Sequence, residues 1–243
     1  MNHCQPHRVR AKSDLLETLA IIPARGGSQG ILFKNIQDLC GKPLIAYTIE
    51  TARASNNVDR VIVSTDDEKI ATVSKEYGAE IPFMRPREIS GSRSLIGEAT
   101  EHALQTLREK EGYGPDIVMV MYPSHPFRPA GIVDLFISKI VQGYRAAITA
   151  RLVVPEERIY VTISADGGLI QSRQQNPPAG KKTTAYRKYG LLEAFRLFPA
   201  NNFLGSYIHP IHDPVSLIDI DELHDLELAR RVMDKRLFRF EVV

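Results

Sequence analysis

The densest chemistry in this 243-residue chain lies in residues 20–35, Ala-Ile-Ile-Pro-Ala-Arg-Gly-Gly-Ser-Gln-Gly-Ile-Leu-Phe-Lys-Asn. An apolar strand, Leu19 to Ile22, runs into a loop holding Arg25, Gly26, Gly27, Ser28 and Gly30, with Lys34 and Asn35 just beyond. Glycines let a backbone curl so that several N–H groups face one concave point. Arg25 and Lys34 add positive charge on either side of that point. Ionised oxygens accept charge-assisted bonds from both kinds of donor, so the loop suits the phosphates of a nucleotide. It is not a Walker loop, which closes on Gly-Lys-Ser/Thr, nor the Gly-x-Gly-x-x-Gly of dinucleotide folds. A tight strand-to-helix turn with solvated charges is the rival reading of the glycines alone. Arg, Lys and Asn around them weigh against it.

Three more polar motifs follow apolar strands: Asp66-Asp67, Ser124-His125 and the pair Asp219/Asp221. Ligands of open α/β sheets bind at the carboxyl ends of the strands, and all four motifs fall there. Asp66 and Asp67 are read as caps of the helix that follows, outside the chemistry. His125 has no second histidine at metal-binding spacing and is read as a polar loop residue.

The elements that position these motifs alternate between apolar strands and amphipathic helices, the pattern of an α/β fold with a three-layer, mostly parallel sheet. Strands are expected at 19–23, 60–64, 117–121, 146–150 and 204–220, with a short one at 80–85. Asp219 and Asp221, two apart on the last of these, would share a face. Helices are expected at 44–54, 68–77, 96–110, 130–142 and 222–235. Leu223, Leu226, Ala229 and Met233 are placed on the inner face of the last helix. Gly78 stands where a helix C-terminal glycine belongs. Residues 151–200 change character. Gly167-Gly168 looks like a hairpin turn between two short strands, and 174–184 reads as a polar loop. That span is read as an inserted flap or dimerisation lobe of one nucleotidyltransferase domain, 19–243, after an N-terminal extension, 1–18.

Hydrophobic residues make up 43% and charged residues 25% of the chain, ordinary for a globular protein. The net charge of +2 supplies no whole-molecule attraction to nucleic acid, so an anion site must be local. Two cysteines, Cys4 and Cys40, are too few for a disulfide framework or a cysteine zinc site. No apolar run approaches the roughly 20 residues that cross a bilayer, and the first 18 lack a signal-peptide core. The expected location is cytoplasmic, with no nucleic-acid or membrane partner.

The first loop, with Gly-Lys-Pro-Leu-Ile-Ala-Tyr-Thr-Ile (41–49), Val-Ile-Val-Ser-Thr-Asp-Asp (61–67) and Ile-Asp-Ile-Asp (218–221), resembles the acylneuraminate cytidylyltransferases. The resemblance spans about residues 19–231. It implies a Rossmann-like nucleotide-diphospho-sugar transferase fold with a small inserted lobe. It also implies transfer of CMP from CTP to the anomeric hydroxyl of a 2-keto sugar acid, with release of pyrophosphate and a need for Mg2+. Arg25 would hold the triphosphate beside the backbone of Gly26, Gly27 and Ser28. Lys34 would be a second cation, Asn35 a nucleotide contact and Arg85 a contact to the base. Asp219 and Asp221 would hold the metal, since magnesium favours carboxylates together with phosphates and water. A helix N-cap is the alternative for Asp221. Tyr122, Ser124, His125, Arg173, Gln174, Arg187 and Tyr189 would meet the sugar acid, a solvated loop being the alternative for Arg173-Gln174. A homodimer through the inserted lobe is expected.

Departures from the family pattern fall in the pocket. Gln29 stands at a usual lysine, Tyr122 at a glutamine that meets the sugar acid, His125 at a serine and Tyr189 at an asparagine. Missing polar contacts shift discrimination strongly, so an acid other than N-acetylneuraminate is expected. Two alternatives remain: a catalytically weak nucleotide-binding regulatory homologue, and a same-fold nucleotidyltransferase acting on a sugar phosphate.

Overall fold

A computed structural model of the chain describes residues 16–27, 30–91, 94–153, 159–163, 169–173, 185–197 and 204–240. Its first half contains β1 (Thr18–Pro23), β2 (Asp38–Leu39), β3 (Lys42–Pro43), α1 (Leu44–Ala54), β4 (Arg60–Ser64), α2 (Glu68–Glu76) and α3 (Ile96–Glu111). The second half contains β5 (Ile117–Met121), α4 (Ile132–Val141), β6 (Tyr144–Val153), β7 (Ile159–Ile163), β8 (Leu169–Arg173), β9 (Ala185–Arg196), β10 (Leu204–Ile211) and α5 (Leu223–Asp234). Six strands form the main sheet in the order β10-β6-β9-β5-β1-β4. β1 runs parallel to β4 and β5, and β6 parallel to β10. β9 alone is antiparallel to its neighbours β5 and β6.

Burial on both faces explains the uninterrupted apolar strands. In β5, Ile117, Met119 and Met121 join Ile45 and Ile49 of α1 and Phe136 and Ile140 of α4 in one core. Val118 and Val120 join Ala103 and Leu107 of α3 in a core on the opposite face. Alternation with a period of two thus sorts one strand into two packed layers. A third cluster, around Leu39, Leu44, Phe127, Ile220 and Leu226, seats α5 beside α1. Among the described residues, no helix is long and apolar enough to cross a membrane.

Four expectations change. Strand β9 is unforeseen: residues 185–196, counted from sequence within the lobe, run in the main sheet, while β7 and β8 pair antiparallel in a separate two-stranded sheet. Residues 80–85 give no strand, only a bridge between Ile62 and Glu80. The last strand ends at Ile211, not 220. Asp213 turns the chain there, its carboxylate accepting from the Val215 and Ser216 N–H groups at 3.1 and 3.3 Å. Finally, Leu223 of α5 is 66% exposed, and Leu226, Ala229 and Val232 form the buried face.

Candidate active site

Three neighbouring recesses meet at Tyr122, just past the carboxyl end of β5, the first of them also reaching the end of β1 at Pro23. The first, of about 520 Å³, is lined by Arg25, Gly30, Lys34, Asn35, Arg85, Tyr122, Ser124 and Asp221, among others. A second, of about 960 Å³, lies between α3 and the sheet and includes Leu104, Val120, Lys188, Glu193 and Phe195. The third, of about 670 Å³, is lined by His125, Arg151, Arg187, Tyr189 and Asp219. Tyr122 borders all three, and Ser124 borders the first and third.

The first loop is held from several sides. Asn35, buried, donates from its amide to the Arg25 carbonyl at 3.0 Å. Arg25 reaches across the recess and donates to the Gly91 carbonyl at 2.6 Å. The Gly26 N–H, expected to face a phosphate, instead donates to Asp66 Oδ1 at 3.0 Å. Gly26 and Gly27 are not part of the recess lining, whereas Gly30 is. A Cβ at Gly30 would stand 2.3 Å from the Asp221 carbonyl oxygen, so glycine is required by close approach of two backbones. Gly30→Ala is therefore expected to cost about 1–3 kcal/mol of stability and to slow turnover by pushing the 219–222 segment away. Melting and turnover both at the unmodified level would show that this contact matters to neither. Ser28 lies outside the described residues.

Only one of the two adjacent aspartates caps a helix. Asp67 accepts from the Lys69 and Ile70 N–H groups at 2.9 and 3.0 Å, at the start of α2. Asp66 belongs to the site: it holds Gly26 and lies 3.9 Å from an Arg85 nitrogen. Arg85 is buried, and its Nε and Nη2 have no hydrogen-bond partner among the described residues. Burial lowers the pKa of its guanidinium, with Asp66 opposing that shift and Arg25 reinforcing it. Such a planar fork with free donors suits acceptors in one plane, such as those on the edge of a nucleobase.

Asp219 and Asp221 do not share a face, because neither sits on a strand. Ile220 between them is fully buried, and its N–H donates to the Ser124 carbonyl at 2.8 Å. Asp221 opens on the first recess and pairs with Lys34 at 2.7 Å. Asp219 opens on the third, with one oxygen 3.5 Å from His125 Nε2 and the other buried without a partner among the described residues. Burial raises the Asp219 pKa; the Ser124 hydroxyl opposes this and Asp221 adds to it. The helix-cap alternative for Asp221 fails: Glu222 is the N-cap of α5, and Asp225 accepts from the Asp221 and Glu222 N–H groups. Among the described residues, no three His, Cys, Asp or Glu side chains form a metal-holding group. The donor set nonetheless fits magnesium, which takes one or two carboxylates and completes its shell with phosphate and water. The orphaned Asp219 oxygen is a hard donor of that kind.

His125 sits in the loop after β5, as read, and is a buried wall of the third recess. Its ring stands edge-on to Tyr189 with centroids 4.8 Å apart, and Nδ1 meets Ser124 Oγ at 3.0 Å. Burial, reinforced by Arg128 and Lys34, pushes its pKa down to about 3, so the ring is neutral at pH 7. Tyr189 comes from an irregularity in the β6/β9 ladder, where residues 189–192 stand opposite Thr149 alone. Such bulges re-aim side chains near functional sites. The Tyr189 hydroxyl donates to the Leu217 carbonyl at 2.7 Å. Arg173 is the last residue of β8, and Gln174 lies outside the described residues.

Two positioning groups carry little sequence signal. Arg128 is buried and donates to the carbonyls of Tyr122 and Leu191 at 2.5 and 3.2 Å and to the Thr48 hydroxyl at 2.9 Å. Burial pushes its guanidinium down to about 9. Glu193 accepts from the Tyr122 hydroxyl at 2.6 Å and pairs with Lys188. The period of β9 would have placed Glu193 had that strand been recognised.

A family model described as Cytidylyltransferase matches residues 19–239. The chain belongs to the cytidylyltransferase family. A pseudaminic acid cytidylyltransferase of Campylobacter jejuni is 31% identical over 225 residues, covering 88% of this chain and 95% of that protein. An N-acylneuraminate cytidylyltransferase of Escherichia coli is 30% identical over 232 residues; the match covers 90% of this chain and 52% of that longer protein. Among solved structures, a CMP:2-keto-3-deoxy-manno-octonic acid synthetase complexed with CTP superposes with a TM-score of 0.64 at 18% identity, over 90% of this chain and 99% of the other. At that identity the likeness establishes the α/β fold.

Proposed function

We propose that this cytidylyltransferase moves CMP from CTP to the anomeric hydroxyl of a nonulosonic, or related, 2-keto sugar acid and releases pyrophosphate. The observation that carries the reading is the first recess. There Arg25, Lys34, Arg85 and Asp221 converge on one cavity that shares Tyr122 and Ser124 with its neighbour. Arg85, with buried unpartnered donors, would take the cytosine edge. Arg25 and Lys34 would hold the triphosphate. The acceptor oxygen would attack the α-phosphorus in line, and the bond to the pyrophosphate oxygen would break opposite it. Arg25 and Lys34 would stabilise the charge that gathers on the leaving group. Asp219 and Asp221 would hold Mg2+, whose chemistry is neutralisation of phosphate charge.

The acceptor would lie in the third recess, beside Tyr122, Ser124, His125, Arg187 and Tyr189. The Tyr122 hydroxyl is engaged by Glu193, so the ring fills space without offering an amide's donor and acceptor. A less hydroxylated or bulkier N-acylated acid fits this wall better than N-acetylneuraminate. The relative named for pseudaminic acid points the same way. Within the span first read as a lobe, the β7–β8 pair supports a homodimer, because a two-stranded ribbon on its own is marginal in water and needs cover.

The test is pyrophosphate release across four nucleoside triphosphates and a panel of pseudaminic acid, a legionaminic acid, N-acetylneuraminate and 3-deoxy-manno-octulosonate. Turnover with CTP and a nonulosonic acid, with N-acetylneuraminate poor, is expected. Preferred turnover of N-acetylneuraminate would overturn the acceptor reading alone. Tight CTP binding without turnover of any acid would favour the regulatory homologue.

A further inference from the structure

Strands β6 and β9 place two arginines directly opposite each other: Arg151 pairs in register with Arg187. Both side chains line the third recess, and Lys188 lines it too. Like charges directly opposite on neighbouring strands destabilise a sheet. Lys188 is relieved by Glu193. Among the described residues, neither Arg151 nor Arg187 finds a carboxylate, and the nearest aromatic contact is Arg151 over the Tyr189 ring at 5.8 Å. The acids of the same recess, Asp219 and Asp225, come from outside this strand pair. Asp225 is already held by the Asp221 and Glu222 N–H groups. The recess therefore combines a cationic group on β6 and β9 with an unsatisfied polar one, where His125 Nε2 and Asp219 Oδ1 are buried without hydrogen-bond partners among the described residues.

We infer that Arg151 and Arg187 form a clamp for the carboxylate of the acceptor. This rests on the acceptor reading above and adds Arg151 and an orientation to it. In a 2-keto sugar acid the carboxylate and the anomeric hydroxyl are borne on one carbon. A carboxylate on the two arginines keeps the hydroxyl in the same recess, which shares Tyr122 and Ser124 with the first. Two guanidinium forks relieve their mutual repulsion by sharing one anion, and they match carboxylate geometry as lysines do not. The clamp also selects against neutral sugars, which would leave both charges uncompensated.

The experiment compares Arg151→Gln, Arg187→Gln and Arg151→Lys with the unmodified chain. The acceptor is whichever of pseudaminic acid, N-acetylneuraminate and 3-deoxy-manno-octulosonate the unmodified chain turns over best. Each glutamine variant is expected to raise the acid KM about 10- to 100-fold, the effect of losing a charged hydrogen bond, with the CTP KM within twofold. Arg151→Lys is expected to fall between. Thermal melting of Arg151→Gln is expected to be unchanged or higher, since a like-charge pair is removed, which separates binding from structural damage. An acid KM within twofold of the unmodified value in Arg151→Gln, or equal increases for acid and CTP, would overturn the clamp alone. No turnover of any acid by the unmodified chain would overturn the proposed function and the clamp with it.

Discussion

Arg25→Ala is expected to slow cytidylyl transfer by about two to three orders of magnitude, the loss typical of a donor aimed at charge developing in a transition state. The side chain lines the first recess and spans it to the Gly91 carbonyl at 2.6 Å. Its removal deletes a cation and releases the 86–91 segment that forms the opposite wall. The structural part of that loss is one hydrogen bond from a charged group, about 1.5–3 kcal/mol at most. A competent fold should therefore survive. Calorimetry with CTP is expected to show weakened binding, and turnover at saturating CTP is expected to stay low. Unchanged affinity and rate would remove Arg25 from the phosphate site.

The second large effect is expected at Asp221. Its carboxylate is 68% exposed and pairs with Lys34. It caps no helix, because Glu222 and Asp225 do that at the start of α5. An exposed ion pair contributes about 0–1 kcal/mol, so Asp221→Asn is expected to leave the melting temperature nearly unchanged. Turnover is expected to fall at least a hundredfold, because the amide is a poor ligand for a hard cation and carries no charge. Assays at limiting and at excess magnesium check this. Turnover at the unmodified level under limiting magnesium would take Asp221 out of the metal reading.

Much of this arrangement was legible in the sequence where local chemistry and tertiary role coincide. The run Ile117–Met121 is apolar throughout because both faces of β5 are covered, and it reads as a strand without help. The Arg25–Asn35 stretch is legible in part: Arg25, Gly30, Lys34 and Asn35 line one recess, but the Gly26 N–H turns to Asp66 and Gly30 answers to the Asp221 carbonyl. Where a residue's local and tertiary roles diverge, the reading fails. Asp66 and Asp67 look alike before a helix, yet only Asp67 meets helix N–H groups, while Asp66 turns back to Gly26. Asp219 and Asp221 look like neighbours on one strand face, but Ile220 is pulled into the core and the acids open on different recesses. Pro210 and Pro214 were the available warnings. The first is tolerated because β10 is an edge strand, and the second lies in the turn that ends it. Strand β9 was hidden because Tyr-Arg-Lys-Tyr-Gly at 186–190 carries no apolar alternation. Arg187, Lys188 and Tyr189 line the third recess, and the irregularity opposite Thr149 breaks the two-residue period.

The central claim is that a phosphodiester bond forms between CMP and a sugar acid in this site. Phosphorus NMR of a mixture of the protein, CTP, magnesium and pseudaminic acid follows that bond directly. The account predicts loss of the three CTP resonances with matched growth of one phosphodiester signal and of pyrophosphate, both absent when the acid is omitted. Persistence of CTP with pseudaminic acid and with every other acid of the panel, or pyrophosphate release that yields free CMP and no phosphodiester, would contradict it.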